Sequence, residues 1–182
     1  MLKQFIYVIL FILLCPLSQA NADISLKELI YNDQQPFHLK LLKALPEEAK
    51  IGFGPKNADN VIIEIMDYYC GFCKKIHPEL IDVVKERSDV RVVFIQFPII
   101  SPSSIVLSKF VLAANLQNKG LDLHNGIFSI DGSLTEEKIK QIIKKINLDE
   151  KKLFDDVNND QTENLINISS FLAKGIGVRG TP

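Results

Sequence analysis

Cysteine is scarce in this sequence, with three in 182 residues, and charge of either sign is in no excess. Lysine and arginine total 21 against 22 aspartates and glutamates, for a net charge of -1. That balance leaves neither an electrostatic footprint for nucleic acid nor a polybasic patch for a membrane surface. A second cysteine pair is also missing. A structural zinc site wants four Cys or His ligands, and this spacing offers at most Cys70, Cys73 and His77, so no metal and no other cofactor is expected. There is no recurring period. The chain is long enough for one substantial core and too short for two full-sized domains.

What is present begins with an export signal. Lys3 supplies a positive charge, Phe5 to Leu14 is an unbroken apolar run, and Pro16 ends it. Ser18, Ala20 and Ala22 then supply the small residues a signal peptidase accepts. Residues 1–22 are therefore expected to be a signal peptide cleaved after Ala22, with Ala20 the alternative. An uncleaved anchor would need roughly 20 apolar residues, and lipidation at Cys15 would need a small residue where Leu14 stands. Cys15 leaves with the signal, and the exported chain keeps Cys70 and Cys73.

Residues 23–49 have a helical look broken by Pro36 and Pro46, and read as a helical N-terminal extension. Gly52, Gly54, Pro55, Asn57 and Asp59 form a turn-rich stretch. Val61 to Met66 is a β-branched run of the kind buried on both faces of a parallel sheet. Lys74 to Arg87 then shows helical spacing, with Pro78 expected to kink the helix rather than end it. Val90 to Phe97 is a second buried strand, so strand, Cys-rich turn, helix and strand form a right-handed βαβ unit. From about 102 to 173 the pattern is helical, and Thr135 is an expected N-cap with Glu136 and Glu137 behind it.

A bridge between Cys70 and Cys73 closes too short a loop to act as a structural staple. Redox chemistry explains the pair better: one sulfur exposed and ionised, the other close enough to displace it from a mixed disulfide. With Cys70 at a helix N-terminus, free N–H groups and the helix dipole favour its thiolate, and Cys73 sits one turn inward. Gly71 and Phe72 donate nothing to that thiolate, which predicts a less oxidising pair than one carrying histidine there. Lys74 and Lys75 either help ionise Cys70 or face solvent. Glu64 is either a buried proton acceptor for Cys73 or a solvated residue at the sheet's rim. Tyr68, Tyr69 and Phe72 read as core or as an apolar rim beside the sulfurs. His38 and His124 read as surface or packing residues, and His77 lies near the active face without a role.

The segment Glu64-Ile-Met-Asp67-Tyr-Tyr-Cys70-Gly-Phe-Cys73-Lys-Lys resembles the active-site segment of the DsbA-like periplasmic oxidoreductases, including the Com1 and ScsC type. Phe97-Pro98-Ile-Ile-Ser-Pro102 resembles that family's exit into its helical insertion, and Gly177-Val-Arg-Gly-Thr181-Pro182 its cis-proline loop. The resemblance covers residues 50–182. It implies an α/β, thioredoxin-like fold with a helical insertion, a disulfide cycling through Cys70 and Cys73, and a periplasmic location. It also implies a cis peptide before Pro182, with Thr181 offering its backbone to an extended substrate. Family members continue past this loop into a hairpin and a closing helix. The fold is therefore expected to lack both, as a truncated version of a longer protein, with Val61 to Met66 left as an apolar edge that the hairpin would pair in the family.

The expected function is thiol-disulfide exchange on unfolded or misbridged exported proteins, with a membrane or periplasmic redox partner; oxidase, reductase and isomerase directions stay open. The alternatives are a non-catalytic chaperone-like or surface binding protein and an inactive remnant.

Overall fold

A computed structural model describes residues 36–182. The expected signal peptide and residues 23–35 of the extension lie outside them. The chain divides into two units, 1–44 and 45–182. Of the first, the described part is helix α1 (Phe37–Ala44), which starts as the Pro36 carbonyl accepts the N–H groups of Leu39 and Lys40.

The second unit is built on a three-stranded sheet. Strand β3 (Val90–Gln96) is central, flanked by β1 (Ile51–Phe53) and β2 (Asn60–Met66). Its sequence, Val-Arg-Val-Val-Phe-Ile-Gln, is apolar on both faces, and Val92 to Ile95 are wholly buried. A strand covered on both sides reads as such a continuous run. β2 runs parallel to β3 from Asn60↔Val90 to Met66↔Gln96, whereas β1 is antiparallel, from Ile51↔Phe94 to Phe53↔Val92.

Two expectations are corrected here. Strand β2 lies at an edge of the described sheet, the place expected for it where a pairing hairpin is lacking, and so is not the doubly buried strand its composition suggested: of its seven residues only Glu64 and Met66 are buried. Its apolar composition resembles that of β3, and composition does not reveal which strand takes the centre. The stretch after residue 50 is not simply turn. Ile51–Phe53 pairs with β3, and Gly52 is required there because a Cβ would come within 2.1 Å of the Val92 carbonyl oxygen. Gly54, at φ 96°, then turns the chain out of the strand.

Helix α2 (Gly71–Glu86) connects β2 to β3 and runs on through Pro78. The helical insertion follows as α3 (Pro102–Asn115), α4 (Gly120–Phe128), α5 (Glu136–Lys145), α6 (Glu150–Val157) and α7 (Asp160–Gly175). Its boundaries are chemically marked. Ser101 and Ser104 form a capping box on α3, and Thr135, Asp149 and Asn159 accept N–H groups at the starts of α5, α6 and α7. Asn118 and Asn147 take positive φ in the turns after α3 and α5. Helix α3 is the hub of the insertion: it packs on α4, α6 and α7 and buries Val111 to Ala114 completely. Helices α2 and α7 also lie against β3. The chain then reaches Thr181–Pro182, whose peptide bond is cis. Among the described residues no helix is long and apolar enough to cross a membrane.

Candidate active site

Strand β2 delivers the chain to the carboxyl edge of the sheet, where Asp67 organises the turn that follows. Its side chain is wholly buried; Oδ1 accepts the N–H of Tyr69 at 2.8 Å, and Oδ2 accepts those of Ile99 and Ile100 at 2.8 and 2.9 Å. One carboxylate thus ties the loop before α2 to the loop after β3. The Asp67 carbonyl also accepts the N–H of Cys70 at 3.0 Å. The sequence signal was an Asp two residues ahead of the N–H it binds, the pattern of an Asx-turn.

Cys70 is the N-cap of α2, and its Sγ accepts the N–H of Cys73 at 3.3 Å. Its own thiol donates to the Thr181 carbonyl at 3.3 Å, so the cis-proline loop and the helix start meet on one sulfur. Burial opposes ionisation of Cys70. Hydrogen bonds with the Thr181 side chain, the Cys73 thiol and the N–H groups of Cys73 and Phe72 outweigh it, and the thiol's pKa falls below its ordinary value. Cys73 is fully buried, and burial pushes its pKa far up, with the nearby charges of Glu64 and Cys70 adding to the effect. Both cysteines are free thiols. The two sulfurs thus occupy opposite electrostatic environments one helical turn apart.

Glu64 is buried rather than at a solvated rim, with 6% of its surface exposed. Both carboxylate oxygens lack a hydrogen-bond partner. Burial raises its pKa to about 7, and proximity to the Cys73 thiol pulls in the other direction. Its place follows from register: Glu64 lies opposite Phe94, where β3 is most deeply covered.

The residues between and beside the sulfurs divide by exposure. Gly71 has open space where a Cβ would be, and Phe72 is 73% exposed. Tyr69 is also exposed, whereas Tyr68 is core. Lys74 hands its ammonium to the Ile130 carbonyl and Lys75 faces solvent, so neither is among the groups that lower the Cys70 pKa. His77 and His124 are both buried and pack together, their ring centroids 4.9 Å apart. His124 is hydrogen-bonded to the Tyr68 hydroxyl at 2.9 Å, and His77 to Asn125 at 3.1 Å. Among the described residues no group of three or more His, Cys, Asp or Glu converges to hold a metal ion.

The fold and this arrangement define a thioredoxin-type dithiol protein. The DSBA-like thioredoxin domain family matches residues 61–182, and the chain belongs to that family of thiol-disulfide oxidoreductases. Among solved structures it is similar to the thiol-disulfide exchange protein alpha-DsbA2 from Wolbachia pipientis, at 26% identity and a TM-score of 0.69, covering 89% of this chain and 84% of that one. It is similar as well to a periplasmic thioredoxin-like protein from Salmonella enterica serovar Typhimurium, at 26% identity and a TM-score of 0.68, covering 82% and 84%. The catalytic domain of Proteus mirabilis ScsC aligns at 25% identity with a TM-score of 0.67, covering 89% and 82%. No curated protein matches the sequence.

Proposed function

We propose that this protein exchanges disulfides with exported polypeptides in the periplasm, using Cys70 as the attacking thiolate and Cys73 as the resolving thiol. The observation that carries this reading is the asymmetry of the pair: Cys70 held at the helix start with its pKa lowered, Cys73 buried one turn inward with its pKa raised.

In the reductive direction the Cys70 thiolate attacks one sulfur of a substrate disulfide. A Cys70–substrate bond forms, and the second substrate sulfur leaves as a thiolate and takes up a proton. Cys73 then loses its proton to the Glu64 carboxylate and attacks the Cys70 sulfur, expelling the first substrate sulfur. The products are a Cys70–Cys73 disulfide and a substrate reduced by two electrons. The oxidative direction is the same sequence reversed, and a redox partner resets the pair in either case. In this reading Thr181, whose carbonyl meets the Cys70 thiol, and Pro182, which follows it across a cis bond, take the backbone of an extended substrate chain. Gly71 and Phe72 face solvent and offer no side-chain donor, which favours a moderately oxidising or reducing poise.

The test is insulin reduction and refolding of a scrambled disulfide substrate. Activity lost in Cys70→Ser supports the reading. A Cys70→Ser variant as active as the parent, or an inactive parent that still binds unfolded chains, sinks it in favour of a binding protein.

A further inference from the structure

Beside the sulfurs lies a cavity of about 350 Å³ walled by Tyr69, Cys70, Lys74, Phe128, Ser133 and Leu134. A second cavity, about 380 Å³, opens on the far side of Tyr69 and Leu134, which wall both. It lies within the helical insertion, between α3, α5 and α6, and its depth is apolar: Leu107, Ile139 and Ile143 are all buried there. Its volume falls within the range of ligand pockets, about 300–1,000 Å³.

Its mouth is unusual for a soluble surface. Tyr69, Val106 and Phe154 come from three different elements, and each is 40–50% exposed. Apolar side chains left open to water around a concavity mark a recognition surface. The charges at this rim, Glu136 and Lys140, neutralise each other in an ion pair of 2.6 Å, so the cavity carries no unmatched charge. An uncharged, bulky occupant fits that chemistry. Continuity through Tyr69, the residue next to Cys70, says where such an occupant comes from.

We infer that this cavity is a specificity subsite that receives one large apolar side chain, aromatic or aliphatic, of a polypeptide whose cysteine is engaged at Cys70. The inference rests on the disulfide-exchange reading and names its substrate class: segments in which a cysteine is followed or preceded at short distance by a bulky apolar residue. Such residues are exposed in unfolded chains and hidden in folded ones, so the subsite would select the unfolded form of a client.

The experiment uses the full chain and two series of synthetic peptides. In one, a single phenylalanine is stepped away from a cysteine held as a mixed disulfide with glutathione; in the other, serine replaces the phenylalanine. At the best position the phenylalanine peptide is expected to exchange about tenfold faster, the scale of discrimination available to an apolar pocket. Val106→Asp and Phe154→Asp, both at exposed positions, are expected to bring the two series near parity. Binding of cysteine-free analogues, read by fluorescence anisotropy, should show the same preference and the same loss. Equal binding of the phenylalanine and serine analogues, or a preference that survives both substitutions, overturns the subsite. Absence of exchange with glutathione disulfide by the unsubstituted protein sinks the redox reading instead, while the anisotropy series still decides the pocket.

Discussion

The carbonyl oxygen of Thr181 lies 3.3 Å from the Sγ of Cys70, although 111 positions separate the two residues in the chain. The Cys70 sulfur is therefore held between a helix start and the loop before Pro182. The carbonyl accepts the proton of the thiol form, whereas the Thr181 side chain and the N–H groups of Phe72 and Cys73 favour the thiolate.

Cys70 should accordingly be the reactive sulfur. Alkylation by iodoacetamide at neutral pH is expected to label Cys70 and spare Cys73, with a Cys70 midpoint below the ~8.5 of a free cysteine. Thr181→Val keeps the carbonyl and removes the hydroxyl, and should move that midpoint up. Equal labelling of both sulfurs at neutral pH defeats the assignment of roles.

Glu64 predicts a pH effect on both rate and stability. Its folded pKa of about 7 lies above the ordinary 4.5, so the folded state binds the extra proton between those values. Stability contributed by Glu64 is complete below about pH 4.5 and is lost as pH rises through 7, by roughly 3 kcal/mol at ~1.4 kcal/mol per unit. Glu64→Gln should recover much of that at pH 8 in urea denaturation. The same substitution should slow resolution of the mixed disulfide about 100-fold, in the range of a lost general base. Wild-type resolution should rise with pH through about 7, and the variant should lack that inflection.

The buried histidines act with the opposite sign. Burial lowers the pKa of both His77 and His124; the hydrogen bond to Asn125 partly offsets this at His77, and the neighbouring His77 charge adds to it at His124. The unfolded chain then binds protons that the folded one refuses, so stability falls as pH drops below about 6.5. Glu64 erodes stability from about pH 4.5 up through 7, but below 6.5 two histidines outweigh one carboxyl, so the maximum is expected near pH 7. His124→Phe should flatten the acid limb in thermal melts recorded across that range; an unchanged limb would show that the histidines do not govern it.

Asp67→Ala should be the most damaging substitution outside the cysteines. Three backbone N–H groups lose a charged acceptor at once, at a cost of about 3 kcal/mol or more. Asp67→Asn, which keeps one acceptor oxygen, should fall between wild type and Ala. Chemical denaturation of the three proteins gives the order.

Phe72→His should make the pair more oxidising by placing a donor beside the Cys70 thiolate. A stabilisation of the reduced form by ~1.4 kcal/mol corresponds to about 30 mV. Equilibration with glutathione buffers measures it, and a potential that does not rise contradicts the reading of the dipeptide.

Much of this site is legible in the sequence alone. The Cys70–Cys73 spacing, the helical periodicity behind it and the apolar strands on either side placed the dithiol at a helix start on the edge of a parallel pair. Thr135 as a cap was readable because a side-chain acceptor before two glutamates has few other uses. What remained hidden depended on partners distant in sequence. Strand β1 is carried by a glycine whose purpose is its approach to Val92, and no local propensity reports that. Nothing in the run Val61 to Met66 distinguishes an edge strand from a central one. Adjacent Tyr68 and Tyr69 have the same side chain and opposite fates, decided by which one faces His124. Glu64 was ambiguous until its register against Phe94 was known.

The open space around Gly71 and the solvent-facing ring of Phe72 separate two properties that many enzymes have to trade against each other. A Cβ at Gly71 meets nothing and the Phe72 ring is mostly in solvent, so substitutions there should act chiefly on the thiolate they flank. A combinatorial library at those two sites should yield proteins with closely similar melting temperatures and a graded series of electron affinities. Driving force could then be chosen for a client without redesigning the scaffold that presents it.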